Sequence, residues 1–409
     1  MKVFYVGDNR DGRGKMNSKS LIPIGVVAAV AVVLVVGLLV LGSPAATGPE
    51  RKIKMVFATA GDVSQLNMMQ NIIGPMFEEK HPDVHLVTIH TGPGDAGSRT
   101  IFEKIKAARD ANKACWDVDA AFVHQIFMSW AIPEGLLMKF AEETSTWKYV
   151  TSEHAKVALG VNIEGYGIPV IHSQVAMAYN TKYIKEPPKS FEEIVKWVQQ
   201  NPSKFGYNGI KGGLSGVGFV LGWVYWKTGE YERLVKGPHD PELIKTKVTS
   251  ALQELKEFNK HVTITAGNVG TLDMLAREEI WLAPVWVDMF YTWMIDGRMP
   301  SHIKLYIPEP GLPGLAMYLV IPAKACNPER AKQLIELMTS PEVQAKVIVE
   351  RYNWYPGIDV KYVMDLISPE AKKRLFSDIT PDILSRSAKL WPLAQTNNEI
   401  LKAYELVVG

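Results

Sequence analysis

The chain has 409 residues, 47% hydrophobic and 22% charged, and its 45 basic and 43 acidic residues leave a formal net charge of +2. Those figures describe a folded globular protein too long for one ordinary core, so two lobes or domains are expected. With both signs of charge scattered and no basic stripe or acidic block, the sequence gives no footprint of nucleic-acid binding.

Residues 21–41 carry no charge over 21 positions rich in Val, Ala and Leu. As a helix they would extend ~31 Å, the depth of a bilayer core, so a transmembrane anchor is expected there. Lys2, Arg10, Arg13, Lys15 and Lys19 outweigh Asp8 and Asp11 ahead of it. That bias puts residues 1–20 in the cytoplasm and the bulk of the chain outside the cell, on the membrane. Ser43-Pro44-Ala45 offers small residues for cleavage, but the apolar run exceeds the usual signal length, which favours an uncleaved anchor. Met16 is a second candidate start, and residues 42–50 read as a tether. Cys115 and Cys326 are the only cysteines, and the spacing leaves one disulfide and two buried thiols as open readings.

From residue 53 the pattern alternates between strands (53–58, 84–89, 118–123) and helices (64–80, 98–111), which predicts an α/β fold with parallel strands. A helical stretch at 125–140 is interrupted by Pro133 and Gly135. Residues 167–180 (GIPVIHSQVAMAYN) form an extended segment too long for an average strand. Ser190 with Glu193 makes a capping box ahead of the apolar stripe Phe191, Ile194, Val195 and Val198. Helices are expected at 241–260, 271–279, 328–338 and 341–350, strands at 280–287 and 315–321, an extended piece at 303–308, and two or three helices over 359–408.

Three stretches together carry a resemblance: CWDVDAAFVHQIFMSWAIPEGLLMKF (115–140), EGYGIPVIHSQVAMAYNTKYIKEPPKSFEEIVKWV (164–198) and LPGLAMYLVIPAKACNPERAKQLIELMTSPEVQAKV (312–347). Their order, with Tyr-Gly-Ile-Pro, Tyr179-Asn180, the Pro-Pro-x-Ser-Phe-Glu-Glu helix start and a later Ser-Pro-Glu-Val-Gln-Ala helix, resembles the extracellular solute-binding proteins of ABC importers, the class that includes maltose-type receptors. The resemblance spans 52–408. It implies a two-lobed periplasmic-binding-protein-like fold, two α/β sandwiches joined by crossing strands at 167–180, 303–309 and 351–357. Lobe 1 would comprise 51–174 and 309–352, and lobe 2 175–308 and 353–409. The implied function is capture of a small-molecule solute by hinge closure, with permease subunits and indirectly their ATPase as partners and no cofactor.

Candidate ligand contacts follow from loops at strand ends. Residues 90–99 (HTGPGDAGSR) fit G-x-G-x-x-G, but the acidic residue of a dinucleotide site is misplaced, since Asp117 and Asp119 precede or begin the next strand. The remaining readings are backbone approach to an oxygen-rich solute through Thr91 and Gly92, with Arg99 as a charged donor, or a plain turn capped by Ser98. Thr59, Gly61 and Asp62 end the first strand, His124 and Gln125 the third, and His172 lies in the first crossing. Gly213, Ser215 and Gly216 precede a helix and suit an amide-lined floor. Trp286, Asp288, Glu309, Tyr352 and Trp354 offer rings for sugar faces and carboxylates for hydroxyls, which favours a carbohydrate or polyol over a polyamine or small anion. The competing reading is an extracellular carbohydrate-active enzyme using Asp288 and Glu309. The nine histidines show no HExxH, so a metal solute is disfavoured.

Overall fold

β1 (Ile53–Thr59), β2 (Val84–His90) and β3 (Ala120–His124) are parallel neighbours with β1 in the centre. The computed structural model describes residues 53–61 and 63–409, so the expected span at 21–41 and Asp62 lie outside the described residues. Among the described residues no helix is long and apolar enough to cross a membrane. In β1, Met55 and Phe57 enter one apolar cluster and Ala58 the opposite one, as a parallel sheet covered on both faces requires.

Helices supply that cover. α1 (Val63–Met68), a π segment (Met69–Ile73) and α2 (Gly74–Lys80) lie between β1 and β2 in sequence, and α3 (Gly94–Asp110) leads from β2 to β3. α3 packs through Ile101, Phe102 and Ile105, with Phe102 edge-on to Phe127 of α4 (Gln125–Ala131). The helix starts four residues before its expected position because Pro93 is held extended at the cap and Gly94 begins the first turn. Ser98 is therefore inside the helix and does not cap it.

The extended segment at 167–180 is β4 (Gly167–Asn180), one strand of 14 residues. Its first part pairs with β7 (Leu312–Val320), and its second part pairs with β5 (Leu282–Trp286) and β6 (Ile303–Tyr306), all antiparallel. Pro169 lies opposite Tyr318 and Ile171 opposite Met317, so Val170 has no counterpart and forms a bulge. β8 (Tyr355–Pro356) adds a short pairing at Ile171 and His172, within the third expected crossing. The strand order is β6-β4-β7-β3-β1-β2. Within residues 303–309, β6 pairs with the far end of β4, and the chain then returns along the first part of β4 as β7.

α5 (Phe191–Gln200) opens on the expected box, with Ser190 Oγ accepting the Glu193 amide at 3.2 Å. Glu193 Oε2 accepts the Lys189 amide at 2.7 Å, one residue before the usual partner. α6 (Leu214–Thr228) is buried on almost every side, and its Trp223 Nε1 donates to Ala251 O of α7 (Thr249–Phe258) at 2.8 Å. α8 (Gly267–Ala276) precedes β5 and α9 (Val287–Ile295) follows it. α10 (Pro328–Thr339) and α11 (Pro341–Val343), which continues as a π segment (Gln344–Val349), come before β8. The tail holds α12 (Pro369–Phe376), α13 (Pro381–Ser387), β9 (Ala388–Lys389) laid parallel to β7, and α14 (Ala394–Val407). Residues 51–409 form one compact unit.

Cys115 and Cys326 are bonded, with Cα atoms 5.0 Å apart, which decides between the two open readings. Beside them the buried Asp119 accepts the Val56 amide through Oδ2 and the Asn327 amide through Oδ1, each at 2.7 Å. The segment before β3, strand β1 and the start of α10 are thus tied at one corner. Replacing Asp119 by Ala leaves two backbone donors without their acceptor, and chemical denaturation should show a loss of about 2–4 kcal/mol. A thiol reagent should label neither cysteine of the native protein until a reductant is added.

Candidate functional site

Because β1, β2 and β3 are parallel, their carboxyl ends share one edge, where such sheets present loops to ligands. Thr59 is fully buried there, and its carbonyl accepts the Thr91 amide at 3.0 Å and lies 3.2 Å from the Thr91 hydroxyl. The Gly61 amide donates to Gly92 O at 3.0 Å, and His90 Nε2 lies 3.0 Å from Gly61 O. A Cβ on Gly97 would sit 2.0 Å from Gly92 O, so the last glycine of the motif exists to let α3 pack on the turn. G-x-G-x-x-G is here a close-packed turn after an edge strand, which removes the basis for a dinucleotide reading.

Several expected donors are already engaged. Ser98 is fully buried and its Oγ accepts the His124 amide at 3.0 Å. Arg99 stacks 4.0 Å above the Trp130 ring and reaches Glu103 Oε1 at 3.5 Å, so its charge is committed along α3. Thr59, Ser98 and Arg99 thus each have a partner within the chain. His124 keeps its imidazole at the edge, with Nδ1 3.2 Å from Asp95 Oδ1. Asp95 was missed in the sequence; its only signal was an acid in the first turn of α3.

The floor expected at the start of α6 is closed from within. The Gly216 amide donates to Asn208 Oδ1 at 3.1 Å, and the Ser215 amide donates to Asn268 Oδ1 at 3.3 Å. The buried Ser215 Oγ lies 2.7 Å from Asn268 Oδ1, and Gly213 O accepts from Asn208 Nδ2 at 2.9 Å. Asn208, from the loop that leads into α6, and Asn268, in the first turn of α8, take the helix-start amides that a solute was expected to take.

Trp286, the last residue of β5, is 7% exposed, and Asp288 in the first turn of α9 accepts the Ser173 hydroxyl. Burial pushes the Tyr355 and Tyr291 hydroxyls far above the ordinary phenol range, and the negative charge of Asp378 pushes the same way. Both stay protonated, and Tyr355 donates to Leu375 O at 3.3 Å. Trp354 is 5% exposed and stacked against Tyr352 at 4.9 Å, so Trp354 is a core residue rather than a sugar platform. Glu309 is exposed; its amide donates to Lys189 O and its carbonyl accepts from Phe191, whereas Asp288 engages Ser173. Nothing in these contacts joins the two carboxylates.

Of the expected residues, Gln125 and His172 line a common cavity of about 360 Å³. Its walls include Ser152 and Val157 from before β4, Gly314 and Ala316 of β7, Tyr355 and Asp359, and Ser385 and Lys389 of the tail. His172 Nε2 lies 3.4 Å from Gln174 Oε1. The tail residues carried no sequence signal, since 359–408 read only as helices. Among the described residues no group of three or more His, Cys, Asp or Glu is arranged to hold a metal ion.

The bacterial extracellular solute-binding protein family matches residues 75–359, more than half of the chain, and the chain belongs to that family. That family is one of extracellular solute-binding proteins. The fold is similar to an ABC transporter protein from Clostridium perfringens, at 18% identity, TM-score 0.64, and coverage of 87% of this chain and 100% of that one. Maltose-bound MalE3 of T. maritima gives 14% identity, TM-score 0.65, and coverage of 87% and 94%. The spermidine/putrescine ABC transporter substrate-binding protein PotD of Streptococcus pneumoniae gives 13%, 0.60, and 87% and 100%. No curated protein matches the sequence. These likenesses establish the periplasmic-binding-protein-like α/β fold expected above.

The capping assignment has a direct check. Asn208→Ala should lower stability in urea by about 2 kcal/mol, since Gly216 and Ser215 lose a partner; a change in ligand affinity with stability intact would restore the solute-binding reading of that loop.

Proposed function

We propose that the protein is a membrane-tethered extracellular receptor that captures a carbohydrate or polyol between two lobes and presents it to ABC permease subunits, and through them to their ATPase. The lobes are 51–174 with 309–352 and 175–308 with 353–409. The observation that carries the reading is the cavity of about 360 Å³, to which residues before β4, residues after β8 and His172 on β4 itself all contribute. A space of that size suits a small solute. A ligand that engages both walls favours the closed form by its differential affinity, and the turning strands act as hinge.

The lining supports a hydroxyl-rich guest. Asp359 accepts the Thr151 amide at 3.1 Å, and Lys389 lies 5.0 Å over the Tyr231 ring. A polyamine would want several carboxylates and an anion several cations, whereas Gln125, His172, Ser152 and Ser385 suit alternating donors and acceptors. The maltose named for the T. maritima protein agrees with this choice, and the polyamines named for the pneumococcal one mark the alternative. The matched family of solute-binding proteins supports a receptor over the enzyme reading. The apolar run 21–41 supports the tether.

A thermal-shift screen of residues 51–409 against sugars, polyols, polyamines and small anions tests the assignment. A sugar or polyol should raise the melting temperature by roughly 3 °C or more at saturation, with no turnover of the compound. His172→Ala and Gln125→Ala should each weaken that ligand by about tenfold. A shift with polyamines alone, or hydrolysis of an oligosaccharide, would replace this reading. Separately, the full chain should sediment with membranes and come free only in detergent, whereas residues 51–409 should remain in solution.

A further inference from the structure

The stretch Ser340-Pro341-Glu342-Val343-Gln344-Ala345 opens the last helical run before β8, and Ser340 Oγ accepts the Val343 amide at 3.4 Å. The π segment begins at Gln344, whose side chain is fully buried. Three backbone groups from three separate segments satisfy its amide. Nε2 donates to Val170 O of β4 at 3.1 Å and to Met338 O of α10 at 2.8 Å. Oε1 accepts the Gly357 amide at 2.8 Å.

Two of those partners are where the sheet is interrupted. Val170 is the bulged residue that the β4–β7 register passes over. Gly357 is the first residue beyond β8, and a Cβ there would stand 2.2 Å from Pro169 O, so backbone presses on backbone at this point. Along the same strand, Gln174 Nε2 donates to Leu312 O at 2.7 Å and ties β4 to the start of β7. A bulge is where a strand pair bends most readily, because one residue sits outside the regular pairing. Without a fixed partner at the bulge, Val170 O and Gly357 N would be buried polar groups with nothing to hold them, at a cost that keeps Gln344 in place. An extra residue in the helix turn is a recurring way of aiming a side chain off the regular helix path.

We propose that Gln344 is the positioning residue of the hinge: it pins the bulge at Val170 to Gly357, and the two lobes turn about that point. This rests on the two-lobed reading under Proposed function. Closure keeps the three hydrogen bonds of Gln344 while the strand segments to either side rotate.

The test uses the full chain in detergent, with hydrogen exchange followed over peptides covering 355–358 and 120–124, and spin labels on Lys104→Cys and Lys245→Cys, both exposed, to measure the spread of separations. Gln344→Met nearly matches the side-chain volume and removes the hydrogen bonds. It should speed exchange at Gly357 by about tenfold or more while 120–124 stays within about twofold of wild type. The label distribution should broaden. Gln344→Glu keeps an acceptor for the Gly357 amide while its carboxyl oxygens face the Val170 and Met338 carbonyls, so Gly357 exchange should rise less than in Gln344→Met although the label distribution still broadens. Unchanged Gly357 exchange in Gln344→Met, or equal acceleration in every strand, would overturn the assignment. Failure of the solute screen would instead remove the receptor reading and leave the Gly357 result standing.

Discussion

Everything in this architecture depends on the continuity of one strand. β4 has 14 residues, and the hydrogen bonds of its two ends go to different partners, β7 at one end and β5 with β6 at the other. A backbone ladder cannot be broken cheaply inside an apolar core, since each buried N–H and C=O must find an acceptor or donor. The two strand groups are therefore held in fixed order by a shared element rather than by a linker. The ladder has one gap along this strand's pairing with β7, at Val170.

The same accounting of polar groups explains why the site is narrower than the loops around it. Helix starts and strand ends always leave donors open, and this chain fills most of them itself: Asn208 and Asn268 at α6, Ser98 at His124, Thr91 at Thr59. The cavity beside His172 and Gln125 is bounded by residues that the chain contributes from widely separated positions.

The fold was largely legible in the sequence. Alternation of apolar runs located β1, β2 and β3, and the length of 167–180 marked β4 to the residue. Such patterns record burial, which acts on every residue of an element. The capping box at Ser190 was readable because both its members lie within four residues. The site was less legible for the opposite reason. Whether Ser215 faces a solute or Asn268 depends on a residue 53 positions away, and Glu309 against Lys189 on one 120 positions away. Periodicity does not record such meetings. Residues 303–309 and 312–320 both read as extended, and only their pairing with opposite ends of β4 tells them apart.

The bond between Cys115 and Cys326 has a consequence for how the chain matures. β3 and its neighbours lack a covering strand until β7 has been made, and the cysteine that seals their corner lies 211 residues downstream of its mate. A polypeptide emerging amino end first must hold an open strand edge through most of its synthesis and crossing, a state prone to clumping. Sealing in an oxidising compartment then fixes the late-arriving segment to the corner beside β3.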